Sequence, residues 1–115
     1  MSAFDSPELE VSPQRAAEML ADGATVIDVR EVYEREAGYI GGTRHIELER
    51  LPGQADTIDK SRPVVFHCRL GVRSAMAASA FRTAAYDAYT MTGGIQAWVD
   101  AGLPLEPETG YVAEH

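Results

Sequence analysis

Apolar and polar positions along the chain alternate between two periods, one fitting buried strands and the other fitting helices. Leu9 to Val11 reads as a short extended piece. Ser12-Pro13-Gln14-Arg15 then supplies a cap residue and a proline at the first helical position. The stripe Ala16, Met19 and Leu20 follows, and Asp22-Gly23 closes the predicted helix. Thr25 to Val29 is β-branched and mostly apolar, the pattern of a strand covered on both faces. A short helix is predicted over Val32 to Ala37, after which Gly38, Gly41 and Gly42 punctuate the chain. Arg44 to Ile46 reads as a short strand, and Glu47 to Leu51 as a helical turn that Pro52-Gly53 should break. Pro63 to His67 is the clearest buried strand, followed by an Ala-rich helix over Ser74 to Ala85. Ala88 to Met91 reads as the last strand. Ile95 to Ala101, entered through Thr92-Gly93-Gly94 and left through Gly102, reads as the last helix.

Strands and helices thus alternate, which predicts an α/β domain: a small parallel sheet of about five strands with helices on both faces. In such a fold, ligands bind beyond the carboxyl ends of the strands. The core is expected over about residues 8–105, with the polar stretch Glu106 to His115 a partly disordered tail.

A length of 115 residues with 45% apolar and 24% charged content suits one hydrophobic core and is too short for two. The formal charge of −8 argues against non-specific attraction to nucleic acid or acidic membranes and fits a self-repelling monomer or small homo-oligomer. Met1 to Glu8 has neither a basic start nor an apolar run, so no signal peptide is expected. No stretch approaches the ~20 apolar residues that span a bilayer. A cytoplasmic location is the expectation.

The chain has one cysteine, which excludes an internal disulfide, a dithiol redox cycle, and a multi-cysteine metal site within the chain. A lone cysteine is by default a small buried hydrophobe. The context of Cys68 points elsewhere. It follows the buried strand directly and opens Cys68-Arg69-Leu70-Gly71-Val72-Arg73-Ser74, a short loop that runs into a helix N-terminus. Loop and first-turn N–H groups converge there, the helix dipole adds partial positive charge, and Arg69 and Arg73 add full charges. Each favours the anionic form of the sulfur. Gly71 lets the backbone turn tightly without filling the pocket.

These residues resemble the rhodanese family of sulfurtransferases, over nearly the whole chain. Val26-Ile27-Asp28-Val29-Arg30-Glu31 is similar to that family's Asp-x-Arg strand end. Gly38-Tyr39-Ile40-Gly41-Gly42-Thr43 is similar to its Gly-His-Ile-x-Gly-Ala segment, with Tyr39 and Thr43 as departures. Gly93-Gly94-Ile95-Gln96-Ala97-Trp98 is similar to its Gly-Gly-x-x-Ala-Trp helix. Inactive members of the family have lost the cysteine, and this chain keeps it.

The resemblance implies that Cys68 attacks the sulfane sulfur of an anionic donor and carries it as a persulfide, held by the loop 69–74, before passing it on by double displacement. The acceptor would be cyanide, a small thiol or a protein cysteine, with no metal or organic cofactor. Related phosphatases of this fold have one more residue between Cys and Arg, and members with basic loops tend to prefer thiosulfate. The shorter span from Cys68 to Arg73 favours sulfur transfer over phosphate hydrolysis, and Arg69 and Arg73 lean toward thiosulfate. Two other functions remain open: a non-catalytic protein-binding module, and a hydrolase or reductase of an oxyanion such as phosphate or arsenate.

Beyond the loop, Arg30 is a candidate for donor binding, set against an ion pair with Glu31 or Glu34. Asp28 is read as architectural, accepting backbone N–H bonds. His67 is adjacent to Cys68 in an extended strand, so the two side chains should face opposite ways and form no dyad. Arg44 is open between a basic rim and solvent, and His45 is unplaced. Trp98, with Ile95 and Val99, is read as core, and Ser74 as a helix cap or a partner of the sulfur.

Overall fold

The computed structural model describes residues 9–115. The expectations for Met1 to Glu8, including the start of the core at residue 8, lie outside the described residues. Five parallel strands form one sheet: β1 (Glu10–Val11), β2 (Thr25–Asp28), β3 (Arg44–His45), β4 (Val64–His67) and β5 (Ala88–Met91), in the order β1-β5-β4-β2-β3. In the centre of the sheet, Val26 pairs with Val65 and Asp28 with His67, while Phe66 pairs with Thr90. The α/β expectation holds.

Alternation along these strands splits the apolar residues between two cores. Val26, Val65 and Met91 point to one face, where α1 (Pro13–Ala21) and the final helix, α5 (Gly94–Asp100), contribute Ala16, Met19, Ile95 and Trp98. Ile27, Val64, Phe66 and Ala88 point to the other, against Ala77, Ala78 and Phe81 of α4 (Val72–Thr83). Phe66 and Phe81 meet there as a tilted pair with ring centroids 4.9 Å apart. Trp98 is buried as expected, and its indole Nε1 donates to the Pro104 carbonyl oxygen at 2.8 Å. Ser12 caps α1 by accepting from the Arg15 amide at 3.0 Å. The helix α2 (Val32–Ala37) has the predicted bounds.

Three expectations need correction. Pro52-Gly53 does not break the chain. A 3-10 turn at Leu48–Arg50 continues into α3 (Leu51–Gln54), with Pro52 in the first turn, where the missing N–H costs nothing. α4 begins at Val72 rather than Ser74. Gly71, at φ +109°, makes the left-handed turn that lets a helix start as soon as the loop ends.

The stretch 106–115 is not a loose tail. Glu106 pairs with Tyr39 through two backbone bonds of 2.9 and 2.7 Å, the Tyr111 amide donates to the Ala37 carbonyl oxygen at 3.0 Å, and Val112 packs on the α1/α5 core. Its polar composition conceals these backbone partners. Among the described residues no helix is long and apolar enough to cross a membrane.

Candidate active site

The parity that buries Val64 and Phe66 toward α4 also turns Cys68 that way, at the carboxyl end of β4. Its residue is only 1% exposed, yet it lines a cleft of about 250 Å³ together with Arg69, Leu70, Val72, Arg73 and His115. Sγ accepts from the amides of Gly71 at 3.1 Å and Ser74 at 3.4 Å, and lies 3.5 Å from Ser74 Oγ. Ser74 therefore partners the sulfur from the third position of α4 and does not cap the helix. Its hydroxyl is fixed in turn by Thr90 Oγ1 at 2.7 Å and by the Gly71 carbonyl oxygen at 3.3 Å. Thr90 lies two residues from Ala88 on β5, so strand alternation places it on the same face as Cys68. That parity was the available signal for a residue the motif reading missed.

The loop is pinned from the other side by α5. The amides of Ile95 and Gln96 donate to the carbonyl oxygens of Cys68, at 2.8 Å, and of Arg69, at 3.1 Å. With those carbonyls drawn away, the N–H groups that follow are left to face the sulfur. Close approach requires Gly94, at φ +65°, where a Cβ would meet the Cys68 carbonyl oxygen at 2.6 Å and collide with the Arg69 carbonyl.

The two loop arginines differ. Arg73 binds Glu34 through both guanidinium nitrogens at 2.8 and 3.0 Å, and the Glu34 side chain is fully buried. Burial works against the charged carboxyl, but the Arg73 hydrogen bonds outweigh it and hold Glu34 below its usual range. The same hydrogen bonds push Arg73 above its ordinary value, so it lines the cleft with its charge already matched. Arg69 keeps a buried Nε with no hydrogen-bond partner among the described residues, and lines the cleft beside the sulfur. Leu70 and Val72, 55% and 72% exposed, form an apolar rim.

Arg30, expected as a candidate for donor binding set against an ion pair with a nearby carboxylate, is found in an ion pair. It is fully buried, pairs with Asp28 through Nε and Nη2 at 2.9 Å each, and donates to the Gly38 carbonyl oxygen at 2.8 Å. Its partner is thus neither Glu31 nor Glu34. The two residues lie on the same side of an extended segment, and the deep position of Asp28 selects the pairing. Asp28 Oδ1 also accepts the Arg30 amide at 3.0 Å, the architectural use expected of it. Burial opposes ionisation of Asp28, but the nearby His67 and the hydrogen bonds and charge of Arg30 hold its carboxyl far below the carboxylate range.

His67 forms no dyad with Cys68. Its ring nitrogens are buried without hydrogen-bond partners among the described residues, and burial above all pushes the imidazole below its usual value. His45 Nε2 lies 2.7 Å from the Arg30 carbonyl oxygen, and Arg44 binds Thr57 and Gln54 instead of joining a basic rim. The arrangement is a buried sulfur beneath an open cleft, with backbone donors converged on it and room above for an added atom.

A family model described as the rhodanese-like domain matches residues 12–101. The thiosulfate sulfurtransferase GlpE of Actinobacillus succinogenes is 31% identical over 103 residues, covering 88% of this chain and 93% of that protein. The protein of the same description from Ectopseudomonas mendocina is also 31% identical, over 87% of this chain and 92% of its own. Among solved structures, a rhodanese-related protein from Thermoplasma volcanium superposes with a TM-score of 0.78 at 26% identity, covering 84% of this chain and 95% of that one.

Proposed function

Because the chain belongs to the rhodanese-like domain family, we propose that it is a thiosulfate sulfurtransferase of the cytoplasm, with Cys68 as the sulfur-carrying nucleophile. The observation that carries this is the convergence of the Gly71 and Ser74 amides on Cys68 Sγ at the base of an open cleft. Such a cradle stabilises negative charge on sulfur and on one further sulfur bonded to it.

In the first half-reaction the Cys68 thiolate attacks the outer, sulfane sulfur of thiosulfate. A Cys68 S–S bond forms, the donor S–S bond breaks, and sulfite leaves with the electron pair. Charge is conserved: the persulfide anion takes the place of the thiolate. In the second, cyanide, a small thiol or a protein cysteine attacks the outer sulfur, and the Cys68 thiolate leaves. Arg69, with its unpartnered nitrogen, supplies charge for the anionic donor, and Leu70 to Ser74 supply the walls and amides. No step calls for a metal or an organic cofactor.

The two half-reactions share one site and one cysteine, so donor and acceptor need not be bound together. Initial rates measured with thiosulfate and cyanide varied jointly should give parallel double-reciprocal lines. Intersecting lines would mean a ternary complex and would contradict the carrier mechanism.

Gly94→Ala tests the pinning of the loop from behind. The added methyl group meets the Cys68 and Arg69 carbonyls, so the loop must shift and its amides lose their aim. A roughly 100-fold loss in kcat/KM is expected, the scale of a small misplacement of reacting groups. Wild-type kinetics in that variant would show that the α5 contact is dispensable.

A further inference from the structure

Thr90 stands one hydroxyl away from the sulfur. It lies in β5 between β1 and β4, paired with Glu10 and Phe66, so its backbone is held along both edges. The residue is buried, and among the described residues Thr90 Oγ1 has one hydrogen-bond partner, Ser74 Oγ at 2.7 Å. Ser74 is fully buried and its hydroxyl has three: Thr90 Oγ1, the Gly71 carbonyl oxygen at 3.3 Å and Cys68 Sγ at 3.5 Å. The hydroxyls thus form a chain, Thr90 to Ser74 to Cys68, that ends on the nucleophile.

Counting hydrogens gives the chain a direction. While Cys68 is a thiol, its S–H donates to Ser74 Oγ, and Ser74 gives its own hydrogen to the Gly71 carbonyl oxygen. A thiolate has no hydrogen to give. The hydrogen between the two atoms must then be the one on Ser74, which turns from Gly71 to the sulfur. The Gly71 carbonyl loses little, because the Ala75 amide already donates to it at 3.1 Å. With the single Ser74 hydrogen on the sulfur, the 2.7 Å contact leaves Thr90 as the donor. A hydroxyl that accepts such a bond is polarised into a stronger donor itself.

We propose that Thr90 is a positioning residue for sulfur discharge: its hydroxyl donates to Ser74 and so aims the Ser74 hydrogen at Cys68 Sγ as the thiolate re-forms. This rests on the sulfur-transfer reading and assigns the effect to one half-reaction. During loading, the charge on Sγ passes to the incoming sulfur, and in the persulfide it sits on the outer atom. During discharge the acceptor bonds to that outer sulfur, the S–S bond breaks, and Sγ leaves with the electron pair. Negative charge therefore grows on Sγ in discharge alone, and a donor aimed at Sγ lowers that barrier.

The test is steady-state kinetics of the full chain with thiosulfate and cyanide at about pH 9.5, above the ordinary thiol value of about 8.5, so that ionisation of a thiol does not limit loading. In a double-displacement enzyme, kcat/KM for thiosulfate reports loading and kcat/KM for cyanide reports discharge. Thr90→Val keeps the shape and removes the hydroxyl. It should lower kcat/KM for cyanide about 5-fold, a fraction of the loss when a direct donor is removed, with the value for thiosulfate changed by less than about 2-fold. Thr90→Ser should restore discharge. In a Ser74→Ala background, Thr90→Val should cost nothing further, because it acts through Ser74. Thr90→Ala lacks the hydroxyl as well and gives the same reading where valine does not fold. Unchanged discharge in Thr90→Val, while wild type turns over thiosulfate, overturns the assignment of Thr90 alone. An equal loss in both half-reactions, or a loss that multiplies with that of Ser74→Ala, also overturns it, in favour of a merely structural hydroxyl pair. Failure of wild type to take sulfur from thiosulfate overturns the sulfur-transfer reading and this inference with it.

Discussion

Cys68→Ser should abolish sulfur transfer from thiosulfate to cyanide, with kcat/KM falling by more than about 1000-fold, the scale seen when a covalent nucleophile is removed. A serine hydroxyl has neither the acidity nor the nucleophilicity of a thiol, and an alkoxide cannot store sulfane sulfur as a persulfide. The loss should be one of chemistry and not of fold. Sγ accepts from two amides at 3.1 and 3.4 Å and donates to Ser74 Oγ at 3.5 Å, and a serine hydroxyl can accept and donate to the same partners. Thermal melting within a few degrees of wild type, alongside lost turnover, is therefore expected. Substantial residual turnover in pure Cys68→Ser would place the sulfur elsewhere and sink the mechanism.

The second large effect lies behind the site. Arg30→Leu should destabilise the domain by about 3 kcal/mol, because it strips the main partner from a fully buried Asp28 carboxylate. Arg35, 3.4 Å from Asp28 Oδ2, and the residue 30 amide remain, which keeps the cost near the low end of that class. The Gly38 carbonyl oxygen loses a donor as well.

The sign of the accompanying pH dependence follows from the depressed Asp28 carboxyl. Its stabilisation of the native state is complete above the unfolded-state value near 3.8 and disappears as pH falls from there toward the folded-state value. Wild type should hold this contribution down to about that pH, and chemical denaturation of wild type and variant at pH 7 and pH 3 measures it. Equal midpoints for the two proteins at pH 7 would show that the pair contributes no net stability.

How much of this was legible in the chain depends on the range over which each feature is decided. The strands at Thr25–Asp28 and Val64–His67 were plain because β-branched runs bounded by turns have few alternatives. The Ala-rich helix and the cysteine at a strand end then fixed where a ligand would sit. Local pattern also separated His67 from Cys68 by strand parity alone.

Other features are decided across the fold and were not visible locally. Glu34 meets Arg73 from 39 residues away, and that contact spends the charge that loop sequence alone would credit to the sulfur. Arg30 stayed open between a pocket and an ion pair because a basic residue near a strand end suits both, and the burial of Asp28 leaves no local mark in the sequence. Pro52 was read as a breaker although it stands where a first turn tolerates it. The seating of 106–115 was hidden because its anchoring relies on backbone groups, which leave no mark in hydropathy. His115 went unnoticed with it.

Intact mass of the wild-type chain after incubation with thiosulfate, read beside Cys68→Ser and again after a reducing thiol, tests the central claim most directly. The account predicts the gain of one sulfur atom that requires Cys68 and is removed by the thiol. No adduct with thiosulfate or with mercaptopyruvate, or an adduct that survives in Cys68→Ser, would contradict it.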